Sequence, residues 1–294
     1  MEYVVNYMDV GIEPAEWARR REGQGWDLLS VADHRASLHR PFPHVWVAIG
    51  AMAAATSSAR LTTSFVNNLF RSPVEVAQAA LAAQQASGGR FELGLGAGWA
   101  RDEIEAAGER FPEPAERAGR FAEAARIVRE LTRTGTCRFE GEHHRIDVDG
   151  IGPLSDPPPP LVVSVGGPRT VREVTPHADR VEIKASSPAT RGGALDLAAL
   201  AAAGDEHLVE MIERVRAVDA DVPLGMFVLC DVGDDERHRR AADALGGSLH
   251  GRFHGPAGKV AEGLAWLGEL GITRCQLSPR DDAAFDLLAP RLLG

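Results

Sequence analysis

The chain has 294 residues, 44% hydrophobic and 25% charged, and a formal net charge of −10 at pH 7. That acidic balance argues against nucleic-acid binding, which needs a basic face to displace counterions. No run of about 18 apolar residues is present to span a bilayer, and no basic-then-apolar leader opens the chain. Cys137, Cys230 and Cys275 form no CxxC pattern, which suits a reduced cytoplasm better than a disulfide framework.

Strand-like and helix-like segments alternate from the start. Tyr3–Met8 reads as a strand, Pro14–Glu22 as a helix opening on its proline, and Asp27–Val31 as a second strand ending at Asp33-His34. Val45–Ala55 is helical and Leu61–Val66 is a β-branched third strand. Pro73–Ala86 carries Val74, Ala77 and Leu81 on one face and stops at Gly88-Gly89, and Phe91–Leu95 is the fourth strand. After a helix over Ala115–Arg133 comes an interruption of about residues 134–160: a hairpin with Gly141-Glu142-His143-His144 at its tip, then four consecutive prolines. Strands follow at Leu161–Val165, Arg180–Ile183, Leu224–Leu229 and Arg274–Leu277, with helices over Arg169–His177, Asp205–Val218, Val260–Leu270 and Ala283–Leu292. Eight βα units in this length predict one α/β domain over residues 1–294, a closed (β/α)8 barrel of the TIM type with a short hairpin and Pro-rich insertion after the fourth unit.

In such a barrel the chemistry lies at the C-terminal ends of the strands. The stretch GGRFELGLGAGW (88–99) fails the dinucleotide fingerprint, because Trp99 stands where the third glycine should fall. Two readings stay open: a tight structural turn, or a strand end stripped of side chains so that a flat ligand can lie close. Gly166-Gly167-Pro168-Arg169-Thr170 places exposed amides and a helix start after strand 5, which suits an anion or makes a plain turn. Asp33-His34 offers an imidazole able to trade protons near neutrality, or a cap and a packed ring. The histidines show no HxxxH or HExxH spacing, so no metal site is expected. Only two of the 32 basic residues are lysines, and one of them, Lys184, follows strand 6. As a barrel nucleophile it would form Schiff bases if burial lowered its pKa; the plainer reading is an ion-paired or exposed lysine.

Taken together, DLLSVADH (27–34), ARLTTSFVNNLFRSPVEVAQ (59–78), ASGGRFELGLGAGW (86–99), FPEPAERAGRFAEA (111–124), VSVGGPRTVREVTPHADRVEI (163–183) and GPAGKVAEGLAWLGELGITRCQLS (255–278) resemble the luciferase-like family of flavin- and deazaflavin-dependent oxidoreductases. The likeness covers nearly the whole chain. It implies a usually dimeric barrel holding coenzyme F420 or FMN across its mouth, acting on a small molecule. It also implies that Gly166, Gly167, Pro168, Arg169 and Thr170 grip the cofactor phosphate. Thr63, Ser64 and Phe65 would underlie the ring, with a cis peptide at Ser64–Phe65, while Gly96 and Gly98 make room for it. His34 would exchange a proton with the substrate, Asp33 would orient His34, and Trp99 would wall the substrate side.

Two departures limit the transfer. The family's deazaflavin sugar-phosphate dehydrogenases carry a catalytic glutamate where this chain has Trp99, although Asp102 and Glu103 lie close by in sequence. The segment from Ala185 onward matches no family pattern. The leading expectation is hydride transfer between the deazaflavin C5 and a small organic substrate. An FMN-dependent monooxygenase is the alternative, ahead of a Schiff-base lyase using Lys184 or a non-catalytic flavin-binding relative.

Overall fold

The eight strands are β1 (Glu2–Tyr7), β2 (Leu28–Val31), β3 (Arg60–Thr63), β4 (Phe91–Gly96), β5 (Leu161–Val165), β6 (Arg180–Ile183), β7 (Leu224–Val232) and β8 (Ile272–Pro279). Each pairs in parallel with the next, and β8 pairs with β1, so the sheet closes on itself. This is the (β/α)8 barrel expected from the alternation. The computed structural model describes all residues except 9, 38 and 39, so His39 lies outside the described residues, as do the side chains at 36, 37 and 40.

Alternation along each strand sends one set of side chains to the helices and the other to the barrel axis. Val5, Tyr7, Leu29, Leu61, Leu93, Val163, Val181, Val228 and Leu277 join the helices in one continuous apolar core. The helix Pro73–Ala86 shows how local chemistry sets the layer: Ser72 Oγ accepts the Glu75 amide at 3.2 Å, proline opens the first turn, and Gly88 and Gly89 take positive φ beyond the last. Fully buried Arg21 ion-pairs with Asp282 and Asp286, binding the last helix to the first.

The insertion is an antiparallel hairpin, Thr136–Glu140 with Arg145–Asp149. Its tip is held by one carboxylate: Glu123 accepts the amides of Glu142, His143 and His144 at 2.7, 3.0 and 2.8 Å. Four short helices were not anticipated: Arg101–Ala106, Pro188–Arg191, Leu197–Ala201 and Glu236–Leu245. The last buries only His238, with Ala241, Ala242 and Leu245 half-buried on the same face. That stripe is built from two alanines and one leucine, so its apolar signal is small.

The lower end of the barrel is closed by charge. Arg274 meets Glu92 at 2.6 Å and Glu2 at 3.0 Å; Arg60 meets Glu2 at 2.6 Å and Glu92 at 3.1 Å; Arg180 meets Glu2 at 3.0 Å. Glu182 is buried above them against the bare face of Gly225, where a Cβ would stand 2.3 Å from Glu182 Oε1. Burial pushes its carboxyl up to about 7, against the pull of Arg274 and Arg180. A raised native pKa stabilises the fold most below the ordinary glutamate value and loses that contribution as pH rises to about 7. Glu182→Gln should therefore remove a fall in stability on the order of 2–3 kcal/mol between pH 4.5 and 7, read from urea midpoints of both proteins across that range.

Candidate active site at the barrel mouth

The upper end opens where β3 leaves the barrel. The Ser64–Phe65 peptide is cis, and the chain then runs beside β4, Val66 against Leu95 and Asn67 against Gly96. The approach is close. A Cβ at Gly94 would lie 1.8 Å from the Thr63 carbonyl oxygen, at Gly96 3.1 Å from Phe65 Cβ, and at Gly98 (φ +79°) 2.3 Å from Asn67 Oδ1. The side where Gly96 and Gly98 would carry Cβ is thus filled by Phe65, Asn67 and Leu69 rather than open to a ring. These glycines admit the neighbouring strand, and their effect on a ligand passes through the bulge that they admit.

Asp33 and His34, at the end of β2, turn to different partners. Asp33 accepts Arg71 at 2.5 and 3.2 Å and the Asn67 amide at 2.9 Å. It does not touch the imidazole, contrary to the orienting role expected of it. His34 Nδ1 instead lies 2.8 Å from Oε1 of Glu103, whose second oxygen accepts the Arg35 amide at 2.8 Å. Proximity in sequence had favoured Asp33, but its carboxylate is drawn away by the bidentate guanidinium. The ring of His34 is flanked by Phe42 at 5.2 Å and edge-on by Trp99 at 5.9 Å. A cleft of about 320 Å³ beside it is lined by Arg35, Phe42, His44, Phe70 and Arg71.

Across the mouth, Lys184 follows β6, with its ammonium 5.9 Å from the Trp99 ring centroid and donating to Thr190 Oγ1. Burial, with the nearby Arg117 charge adding to it, brings its pKa down to about 8. Phe227 and Leu229, on the inward face of β7, are half-buried, as is Ser164 of β5. Ser64 Oγ and Asn68 Nδ2 are buried at the β3 exit without a hydrogen-bond partner.

The turn after β5 brings the Gly166 and Gly167 amides to 3.4 and 3.2 Å from Thr170 Oγ1. Nothing lies within 4 Å of a Cβ built on Gly167, so that side of the turn is open. Arg169 donates to Glu173 and to the Ala115 carbonyl, both at 2.9 Å. Among the described residues no group of three or more His, Cys, Asp or Glu could hold a metal, and no helix is long and apolar enough to cross a membrane.

A parallel eight-stranded barrel with a cis peptide at the strand-3 exit, an anchored imidazole and a glycine turn after strand 5 places this protein among the (β/α)8 barrels whose candidate site lies at the strand ends. Residues 13–288 match the luciferase-like monooxygenase family, and the chain belongs to it. It is 32% identical over 159 residues to a protein of Amycolatopsis mediterranei (strain U-32) named F420-dependent glucose-6-phosphate dehydrogenase, covering 52% of this chain and 47% of that protein. It is 34% identical over 172 residues to a protein of the same name from Kineococcus radiotolerans, covering 56% and 49%. The chain thus spans about half the length of these curated relatives. An F420-dependent secondary alcohol dehydrogenase solved with an F420–acetone adduct shares the fold at TM-score 0.74 and 19% identity, covering 99% of this chain and 98% of that one. The F420-dependent tetrahydromethanopterin reductase of Methanopyrus kandleri does so at 0.75 and 15%, covering 99% and 98%.

The close approach of β3 to β4 yields a direct test. Gly94→Ala drives a methyl into the Thr63 carbonyl and should cost more than the roughly 1–3 kcal/mol of ordinary over-packing, measured by urea denaturation; a loss under 1 kcal/mol would contradict the packing described.

Proposed function

We propose that this protein is an F420-dependent oxidoreductase that transfers a hydride between the deazaflavin C5 and a small organic substrate. The observation that carries the reading is the His34 imidazole, anchored through Nδ1 at the barrel rim with Trp99 edge-on beside it. When bound, F420 supplies or accepts the hydride at C5. Such a transfer leaves one proton to be moved at the substrate heteroatom, and His34 Nε2, the ring atom that Glu103 does not engage, is the group proposed to carry it.

The chain fits that cofactor at two places. Ser64 Oγ and Asn68 Nδ2 are buried and unpartnered at the β3 exit, where a ring edge with donors and acceptors would meet them, over Thr63, Ser64 and Phe65. The open side of Gly167 leaves room for a phosphate, which would take over the Gly166 and Gly167 amides that now donate to Thr170 Oγ1. Arg169, committed to Glu173 and Ala115, would contribute charge nearby rather than a free fork. Trp99 forms the substrate wall. In this reading Lys184 is a cation at that wall, hydrogen-bonded to Thr190, rather than a Schiff-base nucleophile.

FMN-dependent oxygenation is the competing reading, and an imidazole held for proton exchange supports the dehydrogenase. Titration of purified protein with F420 and with FMN separates them, followed by the deazaflavin absorbance with alcohols, glucose 6-phosphate among them. F420 should bind and be reduced; FMN binding with none for F420 would overturn the proposal. Gly167→Ala should melt like the wild type, because its Cβ meets open space, yet bind F420 at least tenfold more weakly.

The partner proposed is a second copy of the chain. Helices Val45–Ala55 and Pro73–Ala86 present Val47, Gly50, Ala54 and Ala82 to solvent, and Val47 is 70% exposed. The first of these helices carries no charged residue, and such a face suits a homodimer; the buried, free thiols suit the cytoplasm. Val47→Asp should shift the sedimentation coefficient from dimer to monomer.

A further inference from the structure

Glu103 sits on the short helix Arg101–Ala106, with its side chain fully buried. That helix is pinned from outside: the Arg101 amide donates to the Gly193 carbonyl at 2.9 Å, its guanidinium lies 4.6 Å from the Phe111 ring centroid, and Ile104 is buried beneath. Glu103 therefore holds its place independently of the imidazole. Its oxygens face His34 Nδ1 and the Arg35 amide, each at 2.8 Å. The amide can only donate, so that oxygen accepts. An ionised carboxylate, which only accepts, satisfies both partners if Nδ1 carries the proton.

We infer that Glu103 is the positioning residue of His34, fixing the Nδ1–H tautomer and leaving Nε2 unprotonated and free to accept. The inference rests on the reading of His34 as the proton carrier and assigns to Glu103 the task that sequence order had suggested for Asp33. For an alcohol substrate the balance is complete. The O–H bond breaks and its proton passes to His34 Nε2. The carbinol C–H bond would break with its hydride taken up by bound F420, the two-electron oxidant. The carbonyl π bond forms, and the resulting imidazolium keeps its Nδ1–H on Glu103, which stays ionised throughout. In the reverse direction the same nitrogen returns the proton.

The test follows from the second hydrogen bond. In Glu103→Gln the Arg35 amide still requires an acceptor, so the carboxamide oxygen turns to it and the NH2 faces His34. Nδ1 then has to accept, and the proton moves to Nε2. Nitrogen NMR of histidine-labelled protein without cofactor, with His34 assigned by its loss in His34→Asn, reads the tautomer directly. The wild type should show Nδ1 protonated, Glu103→Gln should show Nε2 protonated, and Glu103→Ala a mixture. With F420 and a turned-over alcohol, kcat in the Gln variant should fall on the order of a hundredfold while KM stays within threefold, as expected for a base held in the wrong tautomer. Because Gln keeps the size of Glu and an acceptor for Arg35, its melting temperature should match the wild type. A wild-type tautomer or a kcat within twofold of wild type in the Gln variant would overturn the assignment. If the wild type fails to bind F420, the functional reading fails, while the tautomer measurement still decides the role of Glu103.

Discussion

The mouth of this barrel depends on one close approach, that of the β3 exit to the glycines of β4. Gly94 lies under the Thr63 carbonyl, Gly96 under Phe65 and Gly98 under Asn67. With side chains at those positions β3 would have to leave the sheet earlier, and the consequences would run on. The Asn67 amide could not reach Asp33, the chain would not deliver Arg71 to the same carboxylate, and the β2 exit would lose two of its ties. Three positions without side chains thereby fix the floor of the site and one of its walls.

Charge is distributed unevenly along the barrel axis. At the lower end Arg60, Arg180 and Arg274 share the two carboxylates of Glu2 and Glu92, so that every charge there touches at least one of opposite sign. Such a network repays desolvation only when nearly every charge has a counterpart. At the upper end the groups are held more singly: Lys184 by one hydroxyl, with burial lowering its pKa to about 8, and His34 by one carboxylate. Groups held by one partner keep atoms in reserve. The end that closes the fold and the end that meets a ligand thus differ in how completely their charges are paired.

Most of this fold could be read in the sequence, because its strands alternate or are β-branched and its long helices carry apolar stripes. The unread helices were short or weakly apolar: Arg101–Ala106 has a single turn and a half, and Glu236–Leu245 offers only Ala241, Ala242 and Leu245 beside His238 on its inner face. The site was legible as a set of strand ends but not as a set of partners. Asp33-His34 suggested a dyad because the residues are adjacent, yet neighbouring side chains leaving a strand diverge. The true partner of His34 is 69 residues away. The glycines of GLGAGW raised the right question, whether they receive a ligand or the protein, and only the position of the neighbouring strand answers it.

Trp99 and Glu103 show how one short segment divides its tasks. Trp99 leaves β4 just before the helix and Glu103 lies one turn further on, so both reach the same imidazole, the indole edge-on at 5.9 Å and the carboxylate on Nδ1 at 2.8 Å. The absence of an acid at position 99 therefore does not leave His34 without one. It puts the carboxylate on Nδ1 and an indole edge against the ring, with the Lys184 ammonium over the same indole. A molecule entering there would meet an aromatic wall between an imidazole and an ammonium, with no carboxylate at position 99.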